Sequence, residues 1–317
     1  QVLEMLALKE AGVPVIGGPR WKEIEALFEK LKARSQEGYR FAPPPGFNLP
    51  LKSFQKIGTQ WLVDLYNLGL GGILADDMGL GKTIQTIGML EWLRLENRMG
   101  HCLVIVPTSL TYNWQQELKR FAPDIPVFSF SSQQQLTHQE FIKDHPQSVT
   151  VMTYGLFSRN VTNLQNIEGI QWNITIFDEA QNLKNITATR TGYARKFPSE
   201  HKFCLTGTPM ENHYGEFFSL IDLCVPGALG DYNEFMQTFS FKASEGLDME
   251  KMQQDVAFLK MKTRPLVFRR TKEEILHELP DKTETVLTIE FEKKQEKIYR
   301  DIAIAWNDRI KSFINTK

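Results

Sequence analysis

Three observations predict an α/β fold with a mainly parallel sheet covered on both faces by helices. Apolar runs of strand length recur at Ile73–Ala75, Leu103–Val106, Val127–Phe130, Val149–Thr153, Ile174–Phe177 and Phe203–Thr206. The clearest are continuous rather than alternating, the signature of parallel strands buried on both sides. Helical or loop stretches separate the runs, which implies right-handed crossovers. Two runs end directly in glycine-bearing or acidic turns, and ligands of such sheets bind beyond the carboxyl ends of the strands.

The bulk properties bound the answer. A chain of 317 residues makes about two domains, or one large α/β domain with additions. Apolar residues at 42% and charged residues at 24% suffice for a substantial core and exclude the disordered class. A formal charge of −1 is silent on nucleic acid, because a balanced chain can carry a basic stripe on one face. Cys102, Cys204 and Cys224 sit among apolar neighbours and read as buried, reduced thiols of an intracellular protein. No secretory signal and no bilayer-length apolar run is present. The chain opens on Gln1 and stops at Lys317 within a helical pattern, which reads as a fragment of something longer.

In order, Trp21–Tyr39 has apolar residues every three or four positions and predicts an amphipathic helix. FAPPPGFNLP follows, and consecutive prolines impose an extended connector. LKSFQKIGTQWLVDLYNLG gives a second helix, with Gln55 near its start. A carboxamide there can match the donor and acceptor of an adenine edge, although a surface glutamine needs no such role. The centre of the organisation is Ile73–Ile87, ILADDMGLGKTIQTI: strand, glycine-bearing turn, then Lys82-Thr83 at the head of a helix. This is the build of a phosphate cradle, in which inward N–H groups and a helix amino terminus receive a triphosphate. Its residues are Asp76, Asp77, Met78, Gly79, Leu80, Gly81, Lys82 and Thr83. Lys82 would reach the β- and γ-phosphates, and the Thr83 hydroxyl would hold Mg2+. Asp76 occupies the first glycine position of G-x-x-x-x-G-K-[ST], a departure that helicase-like NTPases tolerate. The bland alternative is a glycine-rich corner with a solvated lysine.

Further on, Thr108 and Ser109 after Pro107 are expected to cap the helix carrying Trp114 and Leu118. The run ITIF ends in Asp178-Glu179-Ala180-Gln181. Asp178 suits the Mg2+ shell, and Glu179 suits orienting, or accepting a proton from, an attacking water. Thr206 and Thr208, in TGTP, offer hydroxyls to bond the acidic pair and couple it to the γ-phosphate. Asp231–Lys262 is expected to form a helical protrusion that helps grip DNA or partners, with simple packing as the alternative.

Together these blocks resemble the SNF2 family of ATP-dependent double-stranded DNA translocases, within the helicase-like superfamily 2. The resemblance covers most of the chain after Pro50. LKSFQKIGTQWL resembles the adenine-reading motif, ADDMGLGKTIQTI motif I (Walker A), and LVIVPTSLTYNWQQEL motif Ia. VMTYG is similar to motif Ib, DEAQNLKN to motif II (here a DEAQ box), LTGTPMENHYGEFFSLIDL to motif III, and FRRTKEEILHELPDK to the segment leading out of the first lobe. Gln181 stands where His is commoner. A DEAD-box RNA helicase would differ in motifs Ia and II, so the resemblance favours duplex DNA.

The resemblance implies a RecA-like ATP-binding lobe over 46–230, preceded by a helical segment and connector (1–45). A protrusion (231–265) and a connector with the first helix toward a second lobe (266–317) would follow. It implies ATP and Mg2+, with Lys82 and Glu179 catalytic, Thr83 and Asp178 on the metal, and Thr206 and Thr208 coupling. Duplex DNA would meet loops near Thr108, Thr153-Tyr154 and Lys184, which alternatively read as helix caps or solvated loops, and Arg269-Arg270 would serve the lobe interface or form a charged exit from a strand. Expected partners are DNA, a second RecA-like lobe in cis and a protein cargo. The protein would act as a monomer away from membranes, in the nucleoid or cytoplasm of a bacterium or in a nucleus. No stretch after Thr283 resembles motifs IV to VI, where the family carries its arginine fingers. The 317 residues alone should therefore bind ATP weakly and hydrolyse almost none. A nucleotide-switched binding module without translocation is the alternative.

Overall fold

Each expected apolar run forms a strand. The computed structural model describes residues 41–131, 135–209, 214–239, 249–278 and 292–314, and ahead of them only positions 14, 22, 25, 26 and 29. The expected Trp21–Tyr39 helix therefore lies largely outside the described residues. The strands are β1 (Gly72–Leu74), β2 (His101–Val106), β3 (Val127–Ser129), β4 (Ser148–Thr153), β5 (Trp172–Asp178), β6 (Ser199–Leu205) and β7 (Val267–Phe268). They form one sheet in the order β3-β4-β2-β5-β6-β1-β7, and every pairing is parallel. In β2, β4 and β5 successive residues are buried without alternation, so both faces are covered, as continuous hydrophobicity requires.

Strand β7 lies in residues expected to belong to the connector. Two residues are too few for a periodic signal, yet Val267 and Phe268 pair with Ile73 and Leu74. The chain thus stays within the sheet through Phe268.

Helix α1 (Ser53–Asn67) packs on α2 (Lys82–Leu95), with Trp61, Leu62 and Leu65 fully buried. Helix α3 spans Thr111–Phe121 and follows a single 3-10 turn, Thr108–Leu110. Neither Thr108 nor Ser109 caps it by a side chain; the Leu110 amide donates to the Pro107 carbonyl at 3.0 Å, so the backbone closes this turn. Helices α4 (Gln135–Asp144), α5 (Tyr154–Gln165) and α6 (Thr189–Lys196) complete the crossovers, and α7 (Tyr214–Cys224) follows β6. The expected protrusion contains α8 (Tyr232–Phe239) and α9 (Met249–Thr263). Rather than standing free, these helices share a small core with α7, made of Phe218, Phe235, Phe239 and Leu259. The Phe218 and Phe235 rings lie 5.0 Å apart, a contact that contributes about 0.5–1.5 kcal/mol beyond burial.

Cys102, Cys204 and Cys224 are buried and free. Among the described residues no helix is long and apolar enough to cross a membrane. Residues 279–317 form a separate unit containing α10 (Lys293–Ile314). Ile298, Ile302 and Trp306, at four-residue spacing, lie exposed along it.

Candidate nucleotide site

The loop leaving β1 is shaped by two glycines. Gly79 and Gly81 have φ of 87° and 76°, the left-handed region that glycine enters without a Cβ penalty. At Gly81, which begins α2, an added Cβ would also lie 2.5 Å from Gln55 Nε2. Lys82 opens the helix and donates from Nζ to the Asp76 carbonyl at 2.8 Å, so its ammonium lies inside the curl. Burial lowers the Lys82 pKa, while Glu179, Asp76, Asp178 and Asp77 pull it upward. The anions facing this ammonium thus come from the exits of both β1 and β5. Thr83 sits half-buried in the first turn of α2.

Gln55 is buried against the loop. Its Oε1 accepts from the Lys52 amide at 3.0 Å, and its Nε2 donates to the Leu80 carbonyl at 3.3 Å. Of the other loop residues, Met78 is 71% exposed and Leu80 is buried. Met78 lies over Gly207, where an added Cβ would come within 3.2 Å of its Cγ. Asp76 is fully buried, and its carboxylate is bound by Arg270 and Gln85. The Asp77 carboxylate accepts from the Lys272 amide at 3.1 Å. These two shape the cradle through their backbone, and their side chains serve other contacts.

The second half of the site leaves β5. Burial raises the Asp178 pKa, and hydrogen bonds from Trp114 and the Glu179 amide oppose that rise. Trp114 Nε1 donates to Asp178 Oδ2 at 2.7 Å, and the Glu179 amide donates to Oδ1 at 2.9 Å. The Tyr154 hydroxyl donates to the Asp178 carbonyl at 2.8 Å. Glu179 adopts φ 49° and ψ 54°, a left-handed conformation uncommon for this residue and costly enough to require support from its surroundings.

Gln181 Nε2 donates to Glu179 Oε2 at 2.7 Å. Gln181 Oε1 accepts from the Thr206 hydroxyl at 3.1 Å, and Thr206 Oγ1 accepts from the Thr208 amide at 3.1 Å. The Thr206 hydroxyl thus reaches Glu179 through Gln181 rather than directly.

The expected DNA-facing residues divide. Thr108 is exposed. Thr153 caps α5, its Oγ1 accepting from the Leu156 amide at 3.2 Å. Tyr154 is only 4% exposed and engaged with Asp178, and Lys184 is buried with its Nζ 3.5 Å from Glu216. Neither Tyr154 nor Lys184 presents its polar end as a surface contact: the apolar stem of one and the ion pair of the other draw them inward. Arg270 follows strand β7, as the alternative of a charged strand exit has it, and bonds Asp76.

Trp114 escaped the sequence reading as a functional residue, because a tryptophan at helical spacing reads as core. Its indole N–H was the available signal, since a buried donor requires an acceptor. Gln85, fully buried in α2, carried the same signal.

Among the described residues no three His, Cys, Asp or Glu side chains cluster to hold a metal. Mg2+ takes one or two protein ligands and completes its shell with phosphate oxygens and water, and Thr83 and the buried Asp178 are the residues that would offer them. A parallel sheet with a glycine loop and lysine at one strand exit, and an Asp-Glu pair at another, defines the class of RecA-like P-loop lobes.

Within that class the chain belongs to the SNF2 family: the SNF2-related domain model matches residues 54–316. It is 34% identical over 277 residues to Helicase SWR1 of Eremothecium gossypii, covering 81% of this chain and 18% of that protein. It is 34% identical over 286 residues to the putative ATP-dependent helicase/translocase YwqA of Bacillus subtilis, covering 89% of this chain and 30% of that protein. The SWI2/SNF2 ATPase core of Sulfolobus solfataricus, solved in complex with dsDNA, superposes with a TM-score of 0.66 at 32% identity, covering 86% of this chain and 56% of that one. The chain thus spans less than a third of the length of these two curated relatives.

Proposed function

We propose that this chain is the first, ATP-binding lobe of an SNF2-type ATP-dependent double-stranded DNA translocase, with residues 46–230 forming the nucleotide-binding body. The observation that carries the reading is the convergence of Lys82, Asp178 and Glu179, whose charges act on one another at the rim of a single sheet. The name of YwqA and the DNA complex of the Sulfolobus core support motion on duplex DNA.

The residues divide the work. Loop amides around Gly79 and Gly81, with Lys82, hold the β- and γ-phosphates, and Gln55 stands where it can read the adenine edge. Thr83 and Asp178 would hold Mg2+, which when bound would offset negative charge on the phosphates. Glu179 takes a proton from the attacking water. Gln181 holds Glu179 and passes its position to Thr206, so the loop after β6 responds to the state of the site.

A second lobe in cis completes the site and supplies arginine; without such a finger the rate falls by ~10³ to 10⁵, so these 317 residues alone hydrolyse almost no ATP. Contacts to DNA, from the loop at Thr108 among others, go to phosphates and sugars and weaken steeply with salt. A protein cargo and an intracellular, membrane-free setting belong to the same reading.

The test is DNA-stimulated hydrolysis by the complete protein carrying Glu179→Gln. Loss of turnover with retained ATP binding is expected. An unchanged rate would overturn the assignment of Glu179 and favour another water-positioning residue.

A further inference from the structure

The phosphate loop departs from the general pattern at its first position, where Asp76 replaces glycine. That carboxylate has 0% exposure and is met from several sides. Arg270, just past β7, donates from Nε to Asp76 Oδ1 at 3.0 Å and from its backbone amide to the same oxygen at 3.1 Å. Its Nη2 pairs with Oδ2. Gln85 of α2 donates from Nε2 to Oδ2 at 3.1 Å and accepts from Arg270 Nη2 at 2.8 Å. The remaining guanidinium nitrogen donates to the carbonyl of Phe54, the neighbour of Gln55.

The surroundings are equally close. The guanidinium carbon lies 4.4 Å from the Phe268 ring centroid and 5.3 Å from that of Phe54. Helix α1 approaches so near that a Cβ on Gly58 would sit 1.8 Å from Gln85 Oε1 and 3.1 Å from Arg270. Arg270 therefore bonds the head of α1, the first residue of the loop and the first turns of α2. A lysine offers a point charge and cannot make these forked, planar contacts together.

We propose that Arg270 is a positioning residue for the phosphate loop. It clamps Asp76, Gln85 and the Phe54 carbonyl, and so sets nucleotide affinity from the strand on which the chain leaves the sheet. The inference rests on the ATP-site reading above. A purely structural ion pair makes a different prediction, because replacing both partners of a buried pair by uncharged residues is often neutral for stability.

The experiment uses the complete protein, comparing wild type, Arg270→Lys, and the double variant Asp76→Gly with Arg270→Met. Melting temperature and the KM for Mg-ATP and kcat of DNA-stimulated hydrolysis are read for each. Arg270→Lys should raise KM by about tenfold or more, the scale of lost charged hydrogen bonds, with kcat nearly unchanged. The double variant should regain the wild-type melting temperature and keep the raised KM. Should Arg270→Lys fail to fold, the double variant decides alone. Recovery of KM together with stability, or an unchanged KM in Arg270→Lys, would overturn the proposal. A wild-type protein that binds no ATP would instead overturn the reading of the site, a separate result.

Discussion

The two strand exits that build the site are secured in opposite ways. Beyond β5, Asp178 is held by Trp114 and Tyr154, which belong to helices following the neighbouring strands β2 and β4. Beyond β1, Asp76 and Asp77 are held by Arg270 and Lys272, nearly two hundred residues further along. The acidic half is thus fixed by the interior of the lobe, and the phosphate half by the way out of it.

Substitutions at each exit sharpen this contrast. Glu179→Gln in the complete protein should lower DNA-stimulated hydrolysis by ~10² to 10⁴, the range for a general base, with ATP binding retained in an equilibrium assay. Lys82→Ala should act on the other half, weakening ATP by about 10² or more, as loss of a preorganised charge does; normal binding would refute the cradle. Trp114→Phe removes the donor to Asp178 and should weaken Mg2+ activation by ~10-fold or more, as the loss of a ligand's supporting bond does. That change should leave the KM for ATP at saturating metal nearly unaltered. Thr206→Val, which breaks the bridge through Gln181, should cost only about 2- to 10-fold in rate, one neutral hydrogen bond.

The pH dependence separates the exits more gently. Burial raises the folded-state pKa of Asp178 above its ordinary value, so the folded chain holds that proton to higher pH than the unfolded one. The stability associated with this group is complete below the unfolded pKa and is lost as pH rises through the folded one. Bound Mg2+ has the reverse preference, because it needs the carboxylate ionised. The thermal stabilisation conferred by Mg-ATP should therefore shrink as pH falls toward the carboxylate range, and shrink earlier than for an exposed aspartate. Melting curves with and without Mg-ATP across that range measure it.

Strands β1 to β6, and the placing of the glycine loop and the acidic pair at two of their exits, were legible in the sequence. Continuous runs such as Leu103–Val106 can be satisfied only by burial on both faces, and acids placed directly after one, as at Asp178-Glu179, emerge at the ligand-binding rim. What escaped was which polar groups face each other across long stretches of chain. Lys184 looked like a surface charge because nothing local reveals Glu216 as its partner, and Tyr154 because its hydroxyl target is a main-chain carbonyl. Asp76 looked like a tolerated substitution in the loop, whereas its partner Arg270 follows a strand too short to announce itself.

Strand β7 has a consequence for measurement. The amides of Ile73, Ala75 and Asp77 donate to the carbonyls of Leu266, Phe268 and Arg270 at 2.8, 2.6 and 3.0 Å, so the ladder runs on from the sheet into the phosphate loop. Isotope exchange at these three backbone positions can open only when the outermost strand peels away. Their protection factors would then register, without any label or substitution, how firmly the departing chain grips the floor of the nucleotide pocket.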